Sequence, residues 1–278
     1  MTKELGTLAV DIYDLFDSKK EHNIDKGNLS KFLKTMEDLV HRRLSKQEPR
    51  KPELYFSSIG KKDRQLWLAH KGYVGEDISP KTLFKFMYGD VLEALILFLA
   101  AEAGHKVERE QERVSVLGVR GKIDAFIDGI LVDVKSASPH GYKKFKDGKV
   151  TEDDPFGYIP QICGYSNELT PGVGPAFVAF DKVGGDICVS PVPVSIANDH
   201  KPEVRIKHLK KVLASDVMPP QCYPEEPDGK SGNMKLATGC SYCSLKEHCF
   251  PSLRTFIYST GPRFLTKVVK TPDVYEVR

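Results

Sequence analysis

A short hairpin stands out in the pattern of hydrophobic and polar positions between residues 121 and 135. Two runs rich in β-branched residues flank Asp128-Gly129, and Asp-Gly in this setting is a strong signal for a two-residue β-turn. With these two residues as the turn, Ile127 pairs with Ile130 and the register continues outward. Strand alternation then places six apolar side chains on one face, which is predicted to be buried: Ile123, Ala125, Ile127, Ile130, Val132 and Val134.

The opposite face of the hairpin is charged. The same register brings Asp124 opposite Asp133, and strand alternation adds Lys135 to their face. Directly opposed side chains have Cβ atoms about 5 Å apart, so two carboxylates there repel by roughly 3 kcal/mol at an effective dielectric near 20. A divalent cation would reverse the sign of this term, which predicts a metal site beside an ammonium group. The alternative is a surface hairpin whose polar face meets water.

Two predicted helices carry further polar candidates. The apolar segment from Leu83 to Gly104 has the length of a helix, and its final glycine suits the position after a helix C-terminus. Glu93 borders the inward stripe of this helix, where a carboxylate needs a partner. Gln161 and Tyr165 lie one turn apart on one face of a later helix. The inward stripe of the first helix consists of Leu92, Leu95, Ile96, Leu99 and Ala103.

The remaining pattern alternates between helices and strands. Residues 1–48 are predicted to be helical, with Asn28 capping a second helix. The pattern predicts strands over 107–119, 175–180 and 186–190 and a helix over 204–214. Hairpin-linked central strands with flanking helices are typical of an α/β fold.

Basic positions provide candidate contacts to nucleic acid. The segment His140-Gly-Tyr-Lys-Lys-Phe-Lys146 follows the hairpin directly and combines lysines with aromatic residues. The side chains predicted to contact DNA are Arg64, for which packing is an equal alternative, and Tyr142, Lys143, Lys144 and Lys146. A solvated surface is the alternative for such a lysine run. The whole chain of 278 residues has 41 Lys and Arg against 38 Asp and Glu, so its net charge of +3 does not indicate nucleic-acid binding by itself.

Four motifs occur in a characteristic order: Gly89-x3-Glu93, Gly121-x2-Asp124, Asp133-x-Lys135 and Gln161-x3-Tyr165. This order resembles the RecB-like branch of the PD-(D/E)XK nucleases, including CRISPR-associated RecB-like exonucleases and related phage exonucleases. The resemblance covers roughly residues 55 to 250. It implies a restriction-endonuclease-like core, with a mixed central sheet flanked by helices, that hydrolyses DNA with a bound metal ion. A helical N-terminal region and a C-terminal cysteine subregion would be added to this core.

The resemblance also implies roles for the motif residues. Lys135 would orient the attacking water or neutralise developing charge, and a role as a base depends on its pKa. Gln161 and Tyr165 would hold the scissile phosphate or the substrate backbone. In the family the first motif often supplies a histidine, whereas Glu93 stands here, and oxygen donors suit Mg²⁺ or Mn²⁺. The implied metal ligands are Glu93, Asp124, Asp133 and the backbone carbonyl of Val134.

A cysteine cluster forms the second unusual feature, with Cys222 followed by the C-x2-C-x5-C motif of Cys240, Cys243 and Cys249. This spacing suits tetrahedral zinc or an iron–sulfur cluster. Disulfides are the alternative, but the first residues have no apolar segment of a signal peptide, and a reducing cytosol favours metal. In the resembling exonucleases, three C-terminal cysteines and one upstream cysteine hold a [4Fe-4S] cluster.

The upstream stretch that would supply the fourth ligand, residues 57–67, contains no cysteine. Cys222 is therefore expected to complete the site. A [4Fe-4S] cluster is favoured, with Zn²⁺ as the alternative, held by all four cysteines or by three of them and His248. Cys163 and Cys188 are predicted to be small buried hydrophobic residues.

We therefore expect three regions: a helical region over 1–80, the nuclease core over 81–215, and a cysteine cluster with a tail over 216–278. The expected function is that of a metal-dependent DNA exonuclease in phage DNA processing or recombination. The alternatives are a structure-dependent DNA endonuclease and an inactive nucleic-acid-binding subunit. No apolar run is long enough to span a membrane, which predicts a cytoplasmic protein, in the host cell if it is phage-encoded. The sequence does not indicate an oligomer or a replication or recombination partner.

Overall fold

The computed structural model describes residues 3–45 and 53–277. These residues form two compact units. The first unit takes its residues from Met1–Lys51, Tyr55–Gly60 and Ser79–Ile206, and the second from Pro52–Leu54, Lys61–Ile78 and Lys207–Arg278. The units cut across the three regions expected from the sequence, because the segment Lys61–Ile78 packs with the C-terminal part of the chain.

The helices of the first unit are α1 (Leu8–Asp14), α2 (Lys26–Leu44), α4 (Pro80–Glu102), α5 (Pro139–Lys146), α6 (Tyr158–Leu169) and α7 (Val194–Asp199), with short 3₁₀ turns at Leu5–Thr7, Phe56–Ser58 and Lys149–Thr151. The helix α8 (Pro202–Ala214) contributes residues to both units. The second unit contains α3 (Asp63–His70), α9 (Thr238–Ser241) and α10 (Lys246–Cys249). None of the described helices is sufficiently long and apolar to cross a membrane.

The strands of the first unit are β1 (Val107–Glu108), β2 (Arg113–Val116), β3 (Val119–Lys122), β4 (Ala125–Ile127), β5 (Ile130–Ala137), β6 (Ala176–Asp181) and β7 (Ile187–Pro191). Five of them form a mixed sheet in the order β1-β4-β5-β6-β7, in which β5 and β6 are parallel and the other neighbours antiparallel. The strands β2 and β3 form a separate antiparallel pair. A mixed central sheet flanked by helices is the predicted α/β architecture.

The main core lies between this sheet and helices α1 and α4. Ile96, Leu97 and Ala100 of α4 pack against the apolar hairpin face and against β6 and β7. The hairpin residues predicted for that face are buried or pack against the core, and Phe126 and Leu131 on the other face are buried as well. The central hairpin is therefore covered on both sides, which excludes the surface-hairpin alternative for its apolar strands.

Local chemistry explains where these helices begin and end. Ser79 caps α4, Pro80 opens it, and Gly104 follows it with φ of 86°, in the left-handed region where glycine is favoured. The prediction for α2 was wrong in its cap, because Asp25 and not Asn28 is the capping residue. The Asp25 side chain accepts a hydrogen bond from the backbone N–H of Asn28.

The single strand predicted over 107–119 is also wrong. The chain instead forms β1, a turn, and then the β2–β3 hairpin, whose turn residues Leu117 and Gly118 have φ of 50° and 77°. Leu-Gly lacks the Asx residue that marks such a turn in a sequence. The predicted strands near 175–180 and 186–190 and the helix near 204–214 are confirmed as β6, β7 and α8.

The second unit has its own antiparallel sheet, in the order β12-β10-β11-β9-β8. Its strands are β8 (Glu226–Pro227), β9 (Met234–Lys235), β10 (Arg254–Tyr258), β11 (Gly261–Lys267) and β12 (Glu276–Val277). Trp67 and Leu68 of α3 pack with Leu213 and Leu245, so chain segments far apart in sequence share one core.

Candidate active site and cysteine pocket

The predicted hairpin turn is confirmed. Ile127 pairs with Ile130, and Asp128 and Gly129 have φ of 50° and 81°, as a type I′ turn requires. The Asp128 carboxylate accepts a hydrogen bond from the Lys106 N–H at 2.9 Å and lies 2.6 Å from Nδ1 of the buried His105. These contacts fix the tip of the hairpin against the segment that follows α4.

Asp124 and Asp133 lie at the far end of this hairpin. The β4–β5 ladder extends to the pair Ala125 and Val132, so Asp124 falls just beyond the last paired position. Its carboxylate accepts a hydrogen bond from the Val134 N–H at 2.8 Å. Burial raises the pKa of Asp124 well above its usual range, and the negative charges of Asp133 and Glu93 raise it further. The carboxylates that the sequence singled out are therefore close enough to repel one another.

Glu93 lies on α4 and is close enough to Asp124 and Asp133 to interact with their charges. Burial raises its pKa to about 7, with the Lys135 charge opposing the rise and the Asp133 charge adding to it. Gln111 bridges this carboxylate to the neighbouring strand, because its amide nitrogen donates to Glu93 and its amide oxygen accepts from Lys122. Glu93 thus has a polar partner, as its position beside the apolar stripe required.

Lys135 forms an ion pair with Asp133, and its Nζ lies 5.0 Å from the centre of the Tyr158 ring. Burial alone would lower the pKa of Lys135, but the charges of Asp133 and Asp124 outweigh burial and raise it. The side chain is therefore an ammonium group at neutral pH. In this arrangement Lys135 can donate hydrogen bonds and supply positive charge, but it cannot accept a proton.

Gln161 and Tyr165 come from α6 and line a small pocket together with Asp124 and Asp133. The Tyr165 hydroxyl accepts a hydrogen bond from the Lys122 N–H at 3.0 Å, and its ring packs 4.3 Å from that of Phe56. Burial raises the pKa of Tyr165 to about 12, so the phenol stays protonated. The structure thus brings the four sequence motifs together at one end of the hairpin.

A glycine makes this arrangement possible. A Cβ atom on Gly121 would lie 2.2 Å from the Tyr165 hydroxyl oxygen and 2.8 Å from Cβ of Phe56. The backbone of Gly121 has no positive φ, so the requirement comes from close packing and not from backbone conformation.

The donor set of this site is suited to a hard divalent cation. Glu93, Asp124, Asp133 and the Val134 carbonyl offer oxygen atoms, which Mg²⁺ and Mn²⁺ prefer. Burial raises the pKa values of Glu93 and Asp124, the negative charge of Asp133 raises both further, and a bound cation would relieve this added repulsion. In the described parts of the chain, no three His, Cys, Asp or Glu side chains are already arranged around one ion position.

The basic helix α5 divides into two faces. Tyr142 is buried and hydrogen-bonded to Cys188, so its ring packs inside the unit and does not offer a face to a base. Lys143 and Lys146 are exposed, and Lys144 pairs with Asp153. Lys143 and Lys146, but not Tyr142, are therefore exposed to an anionic partner.

The four predicted cysteine ligands line one pocket of the second unit: Cys222, Cys240, Cys243 and Cys249. Burial raises the pKa of Cys240 to about 12, and the other three cysteines add to the rise. The positive charges of Lys246 and Lys61 favour the thiolate of Cys243, and Arg64 favours that of Cys222. Four cysteines in one pocket with cations nearby are residues that suit a thiolate-bound metal centre, but in the described residues their side chains are not already arranged around one ion position.

The second unit also contains His248, a candidate zinc ligand, and Arg64, a candidate DNA contact. His248 points its Nε2 at the Val74 carbonyl, 2.7 Å away, and does not line the cysteine pocket, so its placement does not fit the zinc alternative that uses it. Arg64 lies on α3, and its Nε is buried with no hydrogen-bond partner in the described structure. Its position near Cys222 gives this arginine an electrostatic role beside the cysteines.

Sequence reasoning missed several residues that hold the site together. The Asp154 carboxylate accepts hydrogen bonds from the N–H of Gly157, just before α6, and from those of Tyr158 and Ile159, the first two residues of α6, with distances of 2.8–3.0 Å. This cap orients the helix that carries Gln161. The acidic run at 152–154 before the helix was a usable signal. Gln111 carried no such signal, because its contact to Glu93 depends on a turn in which it has φ of 55°.

No protein-family model and no curated protein matches the chain. Among solved structures, the chain is similar to the crystal structure of SSO0001, with a TM-score of 0.41 and 14% identity over 78% of this chain and 94% of that chain. It is also similar to LHK-Exo in complex with dAMP, with a TM-score of 0.37 and 14% identity over 64% of this chain and 92% of that chain. Similarity at this level does not define a family or an activity.

Proposed function

We propose that the protein is a Mg²⁺- or Mn²⁺-dependent deoxyribonuclease of the PD-(D/E)XK type that hydrolyses phosphodiester bonds. The observation that carries this proposal is the convergence of three carboxylates and an ammonium group at the end of one hairpin, with Gln161 and Tyr165 beside them. A surface that only bound DNA would gain nothing from clustered carboxylates, because they repel phosphate.

The protein's own groups have distinct roles in this proposal. Glu93, Asp124, Asp133 and the Val134 carbonyl would hold the cation, which when bound activates water and offsets the charge of the pentavalent transition state. The Lys135 ammonium orients the attacking water and stabilises negative charge on the reacting phosphate. Gln161 and the Tyr165 phenol donate hydrogen bonds to the phosphate oxygens, and burial of the pocket strengthens each of these interactions.

Exonuclease action is the favoured mode, in phage DNA processing or recombination, on the strength of the sequence resemblance. The same catalytic groups would cut internally if the strand did not have to enter by an end, so a structure-dependent endonuclease is the alternative. An inactive DNA-binding subunit is disfavoured by the complete acidic set with Lys135.

The cysteine pocket supports a second part of the proposal: a [4Fe-4S] cluster that stabilises the second unit, with four-cysteine Zn²⁺ as the alternative. The pocket walls come from α3, the segment before β8 and the α9–α10 region, which are distant in sequence. A metal centre there would join these segments directly. Iron, zinc and acid-labile sulfide analysis of the purified protein distinguishes the two metals.

The experiment that tests the nuclease proposal compares end-labelled linear DNA with closed-circular DNA in Mg²⁺ or Mn²⁺. Loss of linear DNA alone, abolished by Asp133→Ala, is the expected result and would also give the polarity of digestion. Nicking of circles would establish the endonuclease. DNA binding without cleavage by the wild type would refute the catalytic assignment.

A further inference from the structure

A groove of about 400 Å³ lies between α2 and α4, with the segment Val107 to Lys122 contributing its third wall. Glu93 and Lys122 line this groove, and Lys122 also lines the small pocket that contains Asp124 and Asp133. Phe32 of α2 and Phe98 of α4 stack at 4.8 Å and join the two helices along it. The groove has no assigned occupant.

Two cations in the groove stand directly opposite each other. Arg113 and Lys122 are partners in the β2–β3 ladder, and both line the groove. Directly opposed like charges destabilise a strand pair. The Lys122 ammonium donates to the neutral amide of Gln111, and within residues 3–45 and 53–277 neither cation has a carboxylate at ion-pair distance. An anion between them would convert this repulsion into attraction.

The acidic side chains of the groove wall do not serve as that anion. Glu93 belongs to the catalytic centre and is bonded to Gln111. The other three are already paired: Asp90 with Arg42 and Arg43 at 3.1 and 2.7 Å, Glu110 with Lys31 at 2.5 Å, and Asp38 with Lys34 at 3.1 Å. These three carboxylates therefore form no ion pair with Arg113 or Lys122, and Lys122 interacts with Glu93, Asp124 and Asp90 only as nearby charges beyond ion-pair distance.

We propose that Arg113 and Lys122 bind a phosphate group of the DNA strand and thereby seat that strand in the α2–α4 groove. This inference rests on the proposed nuclease function and extends it to the path of the substrate. Lys122 is two residues before Asp124 and is linked through Gln111 to Glu93, so the bound phosphate lies beside the reacting one. The phosphate is either internal to the strand or a terminal 5′-phosphate.

Binding of a single-stranded oligonucleotide, labelled with fluorescein at its 3′ end, tests the proposal. Fluorescence anisotropy is measured over a series of salt concentrations in an Asp133→Asn background, which prevents cleavage. The test variants are Lys122→Gln and Arg113→Gln. Lys106→Gln is the matched control, because Lys106 pairs with Glu108 at 2.9 Å and does not line the groove. Each oligonucleotide is used with a 5′-phosphate and with a 5′-hydroxyl.

Each test variant is expected to weaken binding and to reduce the slope of log K against log salt by about 0.7, the value for one single-strand phosphate contact. Lys106→Gln should leave the slope unchanged. A reduced slope with both oligonucleotides identifies an internal phosphate, and a reduction seen only with the 5′-phosphate identifies the terminal one. Arg113→Lys should retain the wild-type slope.

Unchanged slopes in both test variants, with normal binding in the background protein, would overturn the groove proposal and leave the nuclease proposal standing. Absence of DNA binding and cleavage by the wild type would overturn both. Melting temperatures exclude misfolding, because removal of one of two opposed charges should leave stability unchanged or raise it.

Discussion

Replacement of Gly121 by alanine tests the packing that holds Tyr165 at the candidate site. The added methyl carbon would lie 2.2 Å from the Tyr165 hydroxyl oxygen and 2.8 Å from Cβ of Phe56. Neither side chain can move into solvent, because Tyr165 is 3% exposed and Phe56 is 0% exposed. Overpacking of this kind costs about 1–3 kcal/mol. Loss of the hydrogen bond from the Lys122 N–H adds about 1 kcal/mol.

We therefore expect Gly121→Ala to destabilise the protein by about 2–4 kcal/mol. At roughly 2–4 °C for each kcal/mol, the melting temperature should fall by about 5–15 °C. Urea unfolding measures the free energy of unfolding of each variant. Initial cleavage rates report whether Tyr165 has been displaced from the candidate active site. Because the hydroxyl is the nearest obstacle, the effect of Gly121→Ala should be smaller in a Tyr165→Phe background than in the wild type.

Gly141→Ala is the matched control. Its added Cβ would lie 3.5 Å from the side chains of Ala137 and Ser138, which is ordinary contact, and Gly141 lies within α5. Alanine is favoured over glycine in a helix by about 0.5–1 kcal/mol, so this variant should be slightly more stable than the wild type. Two results would refute the packing argument. One is a melting temperature of Gly121→Ala equal to that of the wild type. The other is an equal loss of unfolding free energy from Gly121→Ala in the wild-type and Tyr165→Phe backgrounds.

Three further outcomes are expected. Lys135→Gln removes the ammonium group and should slow cleavage by at least about 10²-fold in initial-rate assays, and a rate above about a tenth of wild type would contradict its role. In metal-free protein, the raised pKa of Glu93 makes a stability contribution that is complete below about pH 4.5 and is lost as the pH rises through about 7. This loss of stability amounts to at most roughly 3 kcal/mol. Urea unfolding midpoints measured with EDTA should therefore depend less on pH in Glu93→Gln than in the wild type. Cys243→Ser should lower the bound metal content and the melting temperature, whereas Cys188→Ser, outside the pocket, should change neither.

The central hairpin could be predicted from sequence because its determinants are local. Asp128 and Gly129 fix the turn, and strand alternation then fixes which side chains share the core face, although Phe126 and Leu131 on the other face are buried too. The helix that carries Glu93 was equally accessible, since its apolar stripe, opening proline and final glycine all lie within one segment. The convergence of these elements at one end of the hairpin was implied by a resemblance and not by periodicity.

The other features of the fold and of the candidate site depend on contacts between segments that are distant in sequence, which local patterns do not reveal. Gln111 reaches Glu93 from a turn in which Arg109 and Gln111 both have positive φ, a conformation that neither residue type predicts. The opposition of Arg113 and Lys122 follows from a hairpin with the turn Leu117-Gly118, which carries no strong sequence signal. The packing of Lys61–Ile78 with the C-terminal part was not visible in any local pattern.

During synthesis of the chain on the ribosome, α3 is completed long before the residues that it packs against. The segment Ser79–Ile206 of the first unit lies in the sequence between Lys61–Ile78 and Lys207–Arg278 of the second, so Trp67 and Leu68 are synthesised roughly 145 residues before Leu213 and roughly 177 before Leu245. At about 5–20 residues per second, the apolar side chains of α3 remain without Leu213 and Leu245 for on the order of 7–35 s. A truncation at residue 206 would leave them without these partners permanently, so such a fragment should aggregate unless residues 61–78 are removed as well.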